Sequence, residues 1–236
     1  MNSIFHYNSK PMQLLAKAAD YLMLNFIYVL CCLPVFTIGA AQAGLFNAVR
    51  ILTSEDNESS CYKAFFRGMR SGFGKITLLW CVTGAIAAVL GYTVLAAYVF
   101  DIAGYRDSSF PLFLSVAGLS IVAVYQSMLT LFHSAFDCTA GQLVRNTFYV
   151  IMANLGRSIL VGLLVWAPVI LVIVDFGLIL RGAFILVFVY YSVAFSFCVK
   201  LMRAPFQRLI DNMPKDSAPE PLPEDDPGES SEDGQS

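Results

Sequence analysis

Apolar residues run along this chain in five long blocks, at about 21–49, 76–100, 110–132, 158–175 and 183–199, separated by shorter polar stretches. A helix needs about 20 apolar residues to cross the hydrocarbon core of a bilayer, so each block reads as a transmembrane helix. The pattern predicts an all-α, polytopic bundle of about five spans filling residues 21–210. The polar stretch after the first block has its own period. Tyr62, Phe65, Phe66, Met69 and Phe73 recur at helical spacing, and Lys63, Arg67 and Arg70 form a neighbouring stripe. That arrangement predicts an amphipathic helix over about 61–74, entered through Ser59 and Ser60. Such a helix either lies on a membrane surface or docks a partner with the same face. Residues 1–20 read as a short interfacial segment.

The first block differs from the others. Pro34 lacks an N–H, so it frees the carbonyl of Leu30 and kinks a helix running through 21–49. Thr37, one turn on, is placed to satisfy a freed group. Gly39 and Ala43 are four apart, as are Ala40 and Gly44. Small residues at this spacing let helix backbones approach closely, the main route to packing in lipid. Gln42 and Asn47 are expected to face protein. Pro34, Thr37, Gly39, Ala43 and Gly44 are therefore the candidate kink and packing residues. They form either the structural seam of the bundle or a broken helix lining a substrate site, as in some transporters.

Composition agrees with a membrane location. Hydrophobic residues make up 57% of the 236 and charged residues only 14%, against about 25% charged in soluble domains. The charge is divided: residues 1–210 hold fourteen Lys and Arg against eight acids, while 211–236 hold nine acids, five prolines and Lys215. The second part is an acidic tail with too little apolar surface to order itself. The six cysteines are scattered without metal-ligand spacing, and no cofactor, metal or nucleic-acid motif is present. His133 and Asp137 share a helix face at i, i+4. They form the one weak polar cluster, in a place that also suits simple termination of a span.

Orientation follows from the cations. With five spans, one side collects Arg50, Lys63, Arg67, Arg70, Lys75, Arg145, Arg157, Lys200, Arg203, Arg208 and Lys215, and the other Lys10, Lys17, Arg106 and Arg181. The positive-inside rule then places the start of the chain outside and its end in the cytoplasm. A leader cleaved after Ala43 is not expected, because the apolar run is too long and its loss would leave the basic 50–75 stretch outside.

The Leu33-Pro34-Val35-Phe36-Thr37-Ile38-Gly39 block and the Phe65-Phe66-Arg67-Gly68-Met69-Arg70-Ser71-Gly72-Phe73 stretch resemble the YesL-like family of bacterial integral membrane proteins, a domain of unknown function. The likeness covers roughly residues 10–210, with Ala40 standing where a proline is expected. It implies a plasma-membrane protein working beside carbohydrate uptake and utilisation, and it carries no catalytic residue. The expected role is a non-enzymatic accessory or scaffold protein, partnered by lipid and by a carbohydrate permease complex or a second copy of itself. A small permease with a broken first helix is the alternative.

Overall fold

The structure is a computed structural model that describes residues 10–53, 61–102, 109–174, 190–212 and 220–221. These are almost wholly helical: α1 (Lys10–Cys31), a 3-10 turn (Val35–Thr37), α2 (Ile38–Thr53), α3 (Cys61–Arg70), α4 (Phe73–Ile102), α5 (Ser109–Ala135), α6 (Ala140–Ala153), α7 (Leu155–Val174) and α8 (Tyr191–Asn212). After α5, Phe136–Asp137 pairs antiparallel with Glu220–Pro221. The rest of the acidic tail, residues 1–9 and residues 183–189 of the expected fifth span lie outside the described residues, and the remainder of that span is the start of α8.

The first block is two helices. Pro34 takes an extended conformation (φ −77°, ψ 118°), and with no N–H it cannot continue the ladder of α1. Leu33 closes the last turn on the Leu30 carbonyl at 3.3 Å. The Thr37 hydroxyl lies 2.6 Å from the Cys31 carbonyl and 2.7 Å from that of Pro34. Thr37 thus serves the break as its position promised, on Cys31 and Pro34 where the sequence pointed to Leu30.

Beyond the break the chain turns back. Tyr28 on α1 lies beside Gln42 on α2. Farther down α1, Asp20 accepts a hydrogen bond from Tyr62, at the start of α3, at 2.9 Å. Because α3 runs antiparallel along α2, its start lies near the end of α2, so α1 and α2 are antiparallel arms. This corrects the single kinked span over 21–49. It also removes the basis for placing the start of the chain opposite the 50–75 stretch.

The centre of the molecule is α2. Every residue from Gly39 to Val49 is buried, and α2 packs on α1, α3, α4, α5 and α8. Phe46 stacks on Phe195 of α8, ring centroids 4.1 Å apart at 10°. The long helices α4 and α5 form an antiparallel pair, joined by a 2.6 Å bond between the Thr93 and Ser115 hydroxyls and by Gly118 against Leu90. Next to them, α5 and α7 meet where Gly162 faces Val124. The Thr139–Gln142 capping box starts α6, and the chain bends by 111° between α6 and α7.

Among the described residues, three helical segments are long and apolar enough to cross a membrane, or four if the bent α6–α7 pair is one span. Leu78, Val82, Ile86, Val89, Tyr92 and Leu95 of α4 are exposed, a surface that suits lipid and not water. The segment Val35–Thr53 passes the same test of length and composition, yet most of it is covered by the protein itself.

Candidate functional site: the α2–α3 clamp and its basic groove

The features singled out in the sequence converge where α3 lies on α2. Cys61, Ala64, Phe65 and Gly68 are buried at i, i+3, i+4 and i+7 and face α2. Contact is close because both helices present small residues. A Cβ on Gly44 would lie 2.7 Å from the Phe65 carbonyl oxygen, and one on Gly68 2.7 Å from the Asn47 Cβ. Across this seam, Asn47 Nδ2 donates to the Ala64 carbonyl at 2.9 Å, and within α2 Arg50 donates to Asn47 Oδ1 at 3.1 Å. Ala43 and Gly44 are buried within this packing. Gly39 instead packs on α4, with Trp80 2.7 Å from where a Cβ would sit. Close approach of a neighbouring helix thus accounts for Gly39 and Gly44.

The aromatic stripe of α3 is divided. Phe65 is buried and meets Phe66 edge-on at 5.4 Å. Phe66 is half exposed, Tyr62 and Met69 sit on the flanks, and Phe73 belongs to α4. The outward face carries a groove of about 640 Å³ lined by Tyr62, Lys63, Phe66, Arg67, Arg70 and Ser71. Three cations therefore surround an aromatic floor, suited to an anionic or aromatic partner group. Tyr62 anchors one edge through Asp20. Burial, together with the Asp20 carboxylate, pushes its phenol up to about 12.

At the other end of α3, Gly72 adopts φ +60°, a left-handed turn that costs an L side chain energy. A Cβ there would meet His133 Cε1 and Lys75 Cε, both at 2.9 Å. His133 Nε2 lies 2.9 Å from the Ser71 carbonyl, which can only accept, so Nε2 carries the proton. His133 and Asp137 do not pair. Helix α5 ends at Ala135, the i, i+4 relation lapses, and Asp137 turns to Lys75 at 3.2 Å. Lys75 Nζ also donates to the Cys138 carbonyl. Burial pushes the Cys138 thiol up, with the Lys75 charge opposing it. The cluster ties the α3–α4 turn to the end of α5. Among the described residues, no three His, Cys, Asp or Glu side chains converge as a metal site would require.

Residues 21–94 match the family model described as Protein of unknown function, DUF624. The matched stretch runs from α1 through the break, α2 and α3 into α4, so it contains the whole clamp and groove. No curated protein and no solved structure matches the chain. Sequence reasoning missed Asp20, Lys75 and the small face of α3. Ala64-x-x-x-Gly68 is the same small-residue spacing as Ala40-x-x-x-Gly44 and was the available signal.

Proposed function

We propose that this chain is a non-enzymatic accessory protein of the bacterial plasma membrane, one that recruits a partner through the outward face of α3. The observation that carries this reading is the split of α3. Its small face is clamped to α2, which fixes the helix, while Lys63, Phe66, Arg67 and Arg70 border an open groove. A held helix with a cationic, aromatic outer face suits recognition better than turnover. The polar groups near its end are engaged in structural bonds: His133 with Ser71, and Asp137 with Lys75. The likeness to the YesL-like family makes a carbohydrate uptake complex the partner to look for, with a homo-oligomer as the other.

The test is in-cell crosslinking of the tagged full chain, mild-detergent recovery and mass spectrometry, repeated with Phe66→Ala/Arg70→Ala. Stoichiometric recovery of a permease that the variant loses supports the reading. Recovery of the chain alone from both ends it.

A permease is the second reading, favoured by the break at Cys32–Pro34 and by the hydroxyl-bearing side chains along the α1 arm that leads to it. Tyr21 accepts from Ser196 at 3.0 Å, and Tyr28 packs on Tyr191 at 5.1 Å. Sugar flux into vesicles containing the purified chain alone would support it over the recruiting role.

A further inference from the structure

We propose that α1 and α2 form a re-entrant wedge. The hairpin enters the bilayer from the face that carries Lys75, Asp137 and Lys200, ends among the acyl chains short of the far surface and returns to the same face. The start of α1 and the α2–α3 connection then share one side, the cytoplasmic one.

Depth is the first argument, and two helices report it independently. Gly39, just past the tip, rests on Trp80, five residues beyond Lys75, or about 8 Å of helical rise. On the other flank, Tyr28 packs on Tyr191, whose neighbour Tyr190 donates to the Leu164 carbonyl at 2.8 Å. Leu164 is seven residues beyond Arg157, or about 11 Å of rise. The tip lies four residues from Gly39 and five from Tyr28, which adds about 6 and about 8 Å at most, so in a hydrocarbon core of about 30 Å it ends short of the far surface. Beyond Trp80, α4 continues to Ile102, about 33 Å farther.

The chemistry of the tip is the second argument. Leu33, Val35 and Phe36 are 75%, 67% and 55% exposed. The nearest charged residues in sequence are Asp20 and Arg50. Irregular backbone at membrane depth must satisfy its own polar groups. Here Pro34 brings no donor, and the Thr37 hydroxyl serves the Cys31 and Pro34 carbonyls. An apolar tip whose Cys31 and Pro34 carbonyls are bonded by Thr37 is better matched by acyl chains than by water.

Charge is the third. If the hairpin does not cross, only the α4–α5 and α7–α8 connections lie on the far side, and they hold Arg106 and Arg181. The other thirteen of the fifteen Lys and Arg residues lie on the near side. This is a far sharper positive-inside bias than a single first span gives, and it makes the near side cytoplasmic.

The test uses the full chain with its six cysteines replaced and single cysteines introduced by Lys17→Cys, Leu33→Cys, Lys63→Cys or Arg106→Cys. A membrane-impermeant maleimide is applied to intact and to permeabilised cells. Cysteines at 17 and 63 should label only after permeabilisation, 106 in intact cells, and 33 in neither. A spin label at 33 should be relaxed more by oxygen than by a water-soluble nickel chelate. Labelling at 17 in intact cells would restore a single first span and overturn the wedge. Labelling at 33 in intact cells, or stronger relaxation by nickel, would put the tip in water and overturn it as well. Should a cysteine variant fail to accumulate, end fusions of the unaltered chain decide sidedness. A fluorescent protein ahead of residue 1 that glows supports the proposal, and an active alkaline phosphatase there overturns it.

Discussion

Gly44 and Gly68 set the separation of α2 and α3, and that separation sets the Asn47–Ala64 bond. At Gly68, even a methyl group would sit 2.7 Å from the Asn47 Cβ, so Gly68→Leu must push the helices apart. Overpacking of this kind costs about 1–3 kcal/mol, and the lost bond to a buried carbonyl adds to it. A lowered unfolding midpoint in denaturing detergent would register the change. Gly74→Ala is the control: nothing lies within 4 Å of that position, so the midpoint should hold or rise. Tyr62 gives a pH-dependent readout. Its raised folded value means that the neutral phenol is favoured in the folded state. The contribution is whole below the ordinary tyrosine value of about 10 and fades as pH climbs through about 12. Wild type should therefore lose its stability advantage over Tyr62→Phe across that window, as read by thermal melts at successive pH values. Half of this seam was legible in the sequence. The small rows of α2 stood out because everything around them was apolar. Ala64 and Gly68 were masked by the larger side chains at 62, 65, 66, 69 and 73, whose period is the same and of which Phe65 shares their buried face.

At the scale of elements, the break between α1 and α2 shows what a proline reveals and what it hides. Pro34 announces that a helix cannot continue. It does not say whether the chain bends or reverses, because both need the same missing N–H. Length held the missing signal: the block 21–49 has 29 residues where about 20 suffice for a span. Reversal here rests on the Thr37 hydroxyl and on packing, so Thr37→Val should cost about 1–3 kcal/mol by stranding the Cys31 carbonyl. Thr37→Ser should cost little, and comparing their unfolding midpoints separates hydroxyl from shape. The burial of α2 implies a larger penalty at its centre. Phe46→Ala removes the ring stacked on Phe195 and should cost about 3–5 kcal/mol. Because α2 touches five other helices, fluorescent probes on α3 and on α8 should report the same lowered midpoint.

The whole molecule is a bundle with one strongly cationic end, and that asymmetry has its own consequence. Lys63, Arg67 and Arg70 lie on α3, Lys75 near the start of α4, Arg145 on α6, Arg157 near the start of α7 and Lys200 and Arg203 on α8. Asp137 engages Lys75, and Glu220 lies opposite Asp137. Exposed Phe148, Tyr149, Met152 and Leu155 mark the bend where α6 turns away from α7 by 111°, an amphipathic surface of the kind that settles at a lipid interface. Anionic headgroups near such a surface gain about 1 kcal/mol per Lys or Arg, and the gain falls off within a Debye length. Reconstituted in nanodiscs, the protein should melt at a higher temperature with phosphatidylglycerol present than in phosphatidylcholine alone. That difference should shrink between about 0.05 and about 1 M salt, as the Debye length contracts to about 3 Å. Replacing Lys63, Arg67 and Arg70 together with Gln should remove only part of the gain, since the cations of α6, α7 and α8 remain. Loss of the whole gain in that variant would instead concentrate lipid recognition in the α3 groove, and the recruiting role would then belong to lipid in place of a protein partner.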